Sequence, residues 1–406
     1  MRILVHDFGG YTFPVTLSRE LAKRGHTVRH TYCGSLLTTP PGVDSRQNGT
    51  GALSLDRVDL GEPLTKHNLL KRRSQERKYG KLVAERIRIL RPDVVLSGNT
   101  PLDAQRLIHE SARSVNARFV YWLQDLIGVA TDRLLSGRIP VAGVFVGRHY
   151  LRLERRLLRG SDAVVAITDD FVPILHNYGV DAERIRVIEN WGILEGERSG
   201  KDNPWSRANG LHDKTCLLYA GTLGMKHNPD LILQLARSLK DRPDTRIVVI
   251  SQGSGADWLR GRAGGPGLDN LVVMNYQPLA QMRNVLSAAD VLFAILEPDA
   301  GVFSVPSKVL TYLCAGRALL LAVPTENLAA RIIQKNGAGV VIPPVDAAAF
   351  TREAAALLDD SGRRAACARN ALAYAERTFD IGRIADAFEE VLVARPESAR
   401  TVGADS

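Results

Sequence analysis

Residues 297–316 read EPDAGVFSVPSKVLTYLCAG and follow the apolar run Ala289-Asp290-Val291-Leu292-Phe293-Ala294-Ile295-Leu296. The run has the length and composition of a buried strand. Pro298, Asp299, Gly301 and Pro306 make the next segment turn-forming, and from Lys308 to Ala315 the pattern is helical, stopping at Gly316. Strand, loop and helix start in this order put free backbone N–H groups and the Lys308 amine at a strand's carboxyl end. That arrangement suits an anion, phosphate above all.

The same alternation runs outward in both directions. Residues 2–5 form an apolar strand, and His6-Asp7-Phe8-Gly9-Gly10-Tyr11 leads into a helical pattern over 16–24 and a strand over 27–32. This is a βαβ unit in which Gly9-Gly10 lets a ligand approach the backbone. It lacks GxGxxG, so the dinucleotide fingerprint fails. Residues 34–64 read as a long loop with one short strand, 69–90 as a basic helix, 94–98 as a strand, 103–115 as a helix and 119–123 as a strand ending at Asp125. An acid at a strand's carboxyl end lies where ligands bind in α/β sheets, although a capping or loop aspartate reads the same way. Residues 141–159 are amphipathic and carry Arg148, Arg152, Arg155, Arg156 and Arg159.

Residues 195–214 (EGERSGKDNPWSRANGLHDK) are polar and aperiodic and read as a linker. The alternation then restarts: a strand over 216–220 with the loop Gly221-Thr222-Leu223-Gly224-Met225-Lys226, a helix over 229–239, a strand ending before Gly253, and a strand leading to Tyr276-Gln277. The expected architecture is α/β: two doubly wound Rossmann-like domains facing across a cleft. The expected divisions are 1–195, a linker at 196–214, a second domain at 215–380, a C-terminal helix at 381–395 returning to the first domain, and a tail at 396–406. Ligands in such folds sit outside the strands' carboxyl ends.

Composition bounds the function. The 406 residues exceed one core, and 45% hydrophobic with 24% charged residues describes an ordinary globular chain. No apolar run is long enough to span a membrane, and Met1-Arg2-Ile3 enters a strand directly rather than a signal peptide, so a cytoplasmic setting is expected. Four scattered cysteines without a CxxC pair argue against disulfides and zinc. Of the net +9, most lies in residues 1–200, with 30 Lys and Arg against 22 Asp and Glu. An acidic partner (anionic lipid, a phosphorylated substrate or nucleic acid) would explain this, as would a solvated basic surface. No GxxxxGK[ST] loop, metal-spaced His/Cys cluster or Asp-x-Asp pair is present, so no metal site is expected and diphosphate charge would fall to Lys226, Lys308 and helix dipoles. Positive charge there suits a diphosphate leaving group.

Taken together, MRILVHDFGGYTFPVTLSRELAKRGHTV, YWLQDL, VIENWGI, LLYAGTLGMKHNPDLIL, the GSG loop, NYQPLAQMRNVLSAADVLFAIL, PSKVLTYLCAGRALLL and ENLAARIIQKNGAGVVIPPVD resemble, over nearly the whole chain, a family-4 glycosyltransferase of the GT-B fold, in its bacterial exopolysaccharide and O-antigen branch. The resemblance implies a nucleotide-sugar donor, a saccharide or lipid-linked acceptor, retention of anomeric configuration, no cofactor and no bound metal. No nucleic-acid partner is implied. An anionic membrane face at the inner membrane would meet the basic helices at 69–91 and 141–159. With Lys226 matching the family's diphosphate-contacting lysine, the expected catalytic residues are Asp125, Lys226 and Lys308. The donor would be held by Gly9, Gly10, Gly221, Thr222, Gly253, Tyr276, Gln277, Glu297, Ser307, Val309, Leu310 and Thr311.

Two departures stand out. The family usually carries two glutamates separated by seven residues, and here the second position is Thr311 with Phe303 eight residues before it. The arginine often found after the first glycine of the donor domain is Thr222. Glu297, Asp299 and Glu326 are the carboxylates that could substitute. A binding subunit without catalysis, or a sugar-nucleotide 2-epimerase on the same architecture, are the competing readings.

Overall fold

The computed structural model describes residues 1–36, 52–65, 68–138, 142–296, 298 and 307–394. The chain forms two units: Met1–Glu189 together with the segment from Ile381 onward, and Asn190–Asp380.

The first unit is built on seven parallel strands, β1 (Arg2–Asp7), β2 (Thr27–Cys33), β3 (Leu53–Val58), β4 (Val94–Gly98), β5 (Arg118–Leu123), β6 (Ala163–Ala166) and β7 (Ile185–Val187), in the order β3-β2-β1-β4-β5-β6-β7. The central strands are apolar through their middles because helices cover both faces of the sheet, with polar residues only toward their ends. Ile3, Leu4, Val5, Val95 and Leu96 are fully buried. Helix boundaries follow local chemistry. Leu69–Leu90 starts where the Asn68 side chain accepts from the Lys71 N–H and ends at Arg91, which is left-handed, ahead of Pro92.

The last helix, Ile381–Val393, lays Ile384, Ala385, Phe388, Val391 and Leu392 on one buried stripe. Phe388 meets Trp122 edge-on at 4.9 Å, Arg24 pairs with Asp386 at 2.6 Å and with Glu389, and His26 reaches Glu389 at 2.6 Å. These contacts place the C-terminal helix in the core of the first unit.

The second unit has six parallel strands, β8 (Thr215–Ala220), β9 (Thr245–Ile250), β10 (Leu271–Met274), β11 (Val291–Ile295), β12 (Ala318–Ala322) and β13 (Gly339–Ile342), in the order β10-β9-β8-β11-β12-β13. Alternate residues feed two cores, as the pleat requires. Leu218, Ala220, Leu292 and Ala294 face one, while Leu217, Tyr219, Val291 and Phe293 face the other.

Two features differ from the pattern reading. Residues 196–214 are not a plain linker: Pro204–Ala208 is helical, Asn203 caps it through the Trp205 and Ser206 N–H groups, and Trp205 is buried in the core of the second unit. One indole and a capping box suffice to seat a stretch whose composition is otherwise polar. A helix over Ile127–Arg138, absent from the periodicity, is anchored by the buried Glu154 carboxylate, which accepts from the Gly128 N–H at 2.8 Å.

Candidate functional site

In both sheets the strand order reverses beside the unit's first strand, at β1/β4 and at β8/β11. Connections leave such a pair in opposite directions and open a crevice at the strands' carboxyl ends. Several of the candidate residues lie at these two places.

In the second unit β8 ends at Ala220 and the chain turns at Gly221, whose φ of 142° favours glycine. A Cβ there would stand 3.1 Å from the Lys308 amine, so the glycine also leaves room for that side chain. Helix Ser307–Ala315 carries Lys308 in its first turn. Val309 and Leu310 are buried in the core, so what they and Ser307 can present to a ligand is the backbone N–H groups of the helix start. Tyr312, one turn on, donates to the Ala220 carbonyl at 3.0 Å and accepts the Ala220 N–H at 2.7 Å, pinning the helix to the end of β8.

Lys308 does not point at open solvent. Its ammonium donates to the Tyr219 hydroxyl and lies 4.0 Å from the centroid of that ring. Burial pulls the amine down to about 7. Tyr219 in turn donates to the Thr222 carbonyl at 2.8 Å, and the Thr222 hydroxyl lies 2.6 Å from the Tyr276 hydroxyl. Gly253, at φ 114°, brings its loop against the Leu223 carbonyl, which accepts the Gly255 N–H at 3.0 Å. Gln277 is committed internally: its amide oxygen accepts from Trp205 Nε1 at 3.0 Å and its NH2 donates to the Asn275 carbonyl at 3.0 Å.

Gly221, Thr222, Tyr276, Ser307 and Lys308 thus share one strand-end locality. Thr311 is half-buried one turn into the helix. Lys226 lies in the turn Met225–His227, and its side chain falls outside the described residues, as do Glu297, Asp299 and Phe303. Glu326 is exposed beyond the end of β12.

In the first unit Gly10 takes a left-handed φ of 64°, and a Cβ on Gly9 would run into the Tyr11 ring. Beneath them lies a residue that patterning overlooked. Asp7, buried at the end of β1, accepts from the N–H groups of Tyr11 at 2.6 Å and Gly9 at 3.3 Å, and from Asn99 Nδ2 at 2.9 Å. Asn99 is left-handed, φ 52°, at the end of β4. Burial raises the Asp7 carboxyl to about 6 despite these donors. Beside it His6 is held down to about 3 by burial. Its ring contacts Tyr79 at 3.0 Å, Thr100 at 3.0 Å and Ser97 at 3.1 Å. Asp125 is exposed in the loop after β5, close enough for its charge to act on Tyr11.

Among the described residues no group of three His, Cys, Asp or Glu is placed to hold a metal, and no helix is long and apolar enough to cross a membrane. In the basic helix Leu69–Leu90, Lys71 pairs with Glu62, Arg72 with Glu76, Arg73 with Asp103 and Arg86 with Asp56, so part of its charge is met within the unit. Helix Ala142–Gly160 instead exposes Phe145, Val146, Arg148, Arg152, Arg155, Arg156 and Arg159.

Residues 9–191 match the family described as Glycosyl transferase 4-like domain, and residues 202–373 match Glycosyl transferases group 1. The chain therefore carries these two glycosyltransferase domains in tandem. WcaI of Escherichia coli (strain K12), named as a colanic acid biosynthesis glycosyl transferase, is 26% identical over 280 residues, which span 66% of this chain and 66% of WcaI. A protein of Xylanimonas cellulosilytica named D-inositol 3-phosphate glycosyltransferase is 26% identical over 405 residues, 91% of this chain and 88% of its own. Among solved structures, Anabaena HepE in complex with UDP superposes with a TM-score of 0.68 at 14% identity, covering 97% of this chain and 99% of HepE. WaaG, a glycosyltransferase involved in lipopolysaccharide biosynthesis, gives 0.69 at 18%, covering 97% and 100%. Two parallel-sheet Rossmann-like domains of the GT-B kind are the shared fold.

The Asp7 carboxyl yields a pH prediction. Its folded value lies above the ordinary 3.8, so the folded protein keeps a proton that the unfolded chain has lost, and this contribution to stability drains away as pH rises from about 4 to about 6. Relative to the parent, Asp7→Asn should gain about 2 kcal/mol between pH 4 and pH 6.5 in urea denaturation. A difference that stays flat across that range would show that Asp7 ionises freely.

Proposed function

We propose that this tandem of glycosyltransferase domains moves a sugar from a nucleoside-diphosphate sugar to a saccharide or lipid-linked acceptor, with retention of configuration and without a metal, in cell-surface polysaccharide synthesis. The observation that carries the reading is the Lys308 amine held beneath the Gly221 turn at a helix start, where a leaving diphosphate would find one cation and several N–H donors. Tyr276, assigned here to the nucleobase end, is half-exposed and joined to Thr222, which supports that role. Lys226 is the second cation assigned to the diphosphate. On the first unit Gly9 and Gly10 offer close approach to the backbone, and Asp125 orients the acceptor or takes its proton. Relatives named for colanic acid biosynthesis and lipopolysaccharide biosynthesis support the polysaccharide assignment.

A non-catalytic binding subunit is the second reading, favoured by Thr311 and Thr222 at positions where the family usually has a glutamate and an arginine. A screen of nucleotide sugars with saccharide and lipid-diphosphate-sugar acceptors separates the two. Transfer with release of nucleoside diphosphate is expected, and its absence with every donor favours the subunit. Lys308→Ala should lower the rate at least about ten-fold by removing a charge-assisted contact; unchanged kinetics would remove Lys308 from the site.

The exposed arginine face of helix Ala142–Gly160, with Phe145 at its edge, supports a peripheral position on an anionic membrane. Co-sedimentation with phosphatidylglycerol-containing vesicles, and not with phosphatidylcholine alone, is expected. It should be lost when Arg148, Arg152 and Arg156 become glutamate. Equal sedimentation with both vesicles would refute the charge-based contact.

A further inference from the structure

Tyr219 is fully buried within the apolar run of β8, yet its hydroxyl does two things at the strand's end. It accepts from the Lys308 ammonium and donates to the Thr222 carbonyl at 2.8 Å. Its ring adds a second hold on Lys308, 4.0 Å from the amine, with the charge over the π face. Tyr219 faces the core opposite to the one that Val309, Tyr312 and Leu313 enter, so the lysine must cross the end of β8 to reach it.

A long, flexible cation ordinarily loses rotamer freedom when a ligand fixes it. Here that freedom is already lost before any ligand arrives. The chain of contacts continues from Thr222 to Tyr276, so one phenol joins the helix carrying the phosphate-facing lysine to the segment carrying the exposed aromatic.

We propose that Tyr219 is a positioning residue of the donor site, setting where the Lys308 amine sits and holding the Gly221–Thr222 turn in register with Tyr276. It touches no ligand itself and acts through Lys308 and Thr222. This role presupposes that the site takes a nucleoside diphosphate, as proposed above. The hydroxyl rather than the ring is the deciding group, because only it reaches both partners.

The test is a double-mutant cycle read by calorimetric titration of the full chain with UDP and, separately, GDP. Tyr219→Phe keeps the buried ring and removes the hydroxyl. It should weaken the diphosphate that binds by about five-fold in the parent background and by less than about two-fold in a Lys308→Met background, where only the Thr222 contact remains to be lost. A structural defect alone would weaken both backgrounds equally, and that result, or parent-like binding by Tyr219→Phe, would overturn the assignment. Should Tyr219→Phe unfold, Thr222→Val serves in its place: it keeps the β-branched shape and leaves the Thr222 carbonyl available to Tyr219 but removes the hydroxyl that reaches Tyr276. Loss of UDP or GDP binding is then expected, and full retention would overturn the coupling. If the parent chain binds neither UDP nor GDP, ADP and dTDP are titrated in the same way; if none of the four binds, the donor-site reading itself fails, and the role of Tyr219 falls with it.

Discussion

Parallel strands oblige every connection to cross a face of the sheet, and where the order reverses the two crossings part. That constraint acts twice here, at β1/β4 and at β8/β11. Nothing apolar can fill the ends of these strand pairs without blocking the loops, so polar groups collect there. The buried Asp7–Asn99 pair occupies one end, and the Lys308–Tyr219–Thr222 chain the other.

Both clusters carry a cost that packing alone does not explain. A carboxylate at the end of β1 and an ammonium crossing the end of β8 are each pushed toward their neutral forms by burial. Apolar residues of the same volume would serve the fold as well or better. Groups held near the point of changing charge, at strand ends where ligands bind, are what a site handling phosphate and protons requires. The Glu154 carboxyl, raised to about 7, shows that the same electrostatics can serve structure alone, since it anchors the start of helix Ile127–Arg138.

Much of the architecture was legible from period and punctuation. The helix read over 69–90 and its stop before Pro92, the strands read at 94–98 and within 289–296, and the tandem α/β pattern all announce themselves through apolar runs and glycine or proline stops. Lys308 was legible as a cation at a helix start. Its partner was not, because Tyr219 lies in CLLYA, where one tyrosine among apolar residues looks like core. Asp7 was hidden likewise between a strand and a glycine pair. Residues 196–214 misled by composition: a capped Trp205 buries itself in a stretch that is otherwise polar. Gln277 matched a motif, yet its amide is spent on Trp205 and Asn275, which no spacing reveals.

Hydrogen exchange of the intact chain, with and without UDP or GDP, measures the donor-site assignment most directly. Slowed exchange at the amides of Gly221, Thr222, Tyr276 and Ser307 through Leu310, with the amides of β13 unchanged, is the predicted result. Protection confined to other segments while the nucleotide is bound would contradict it.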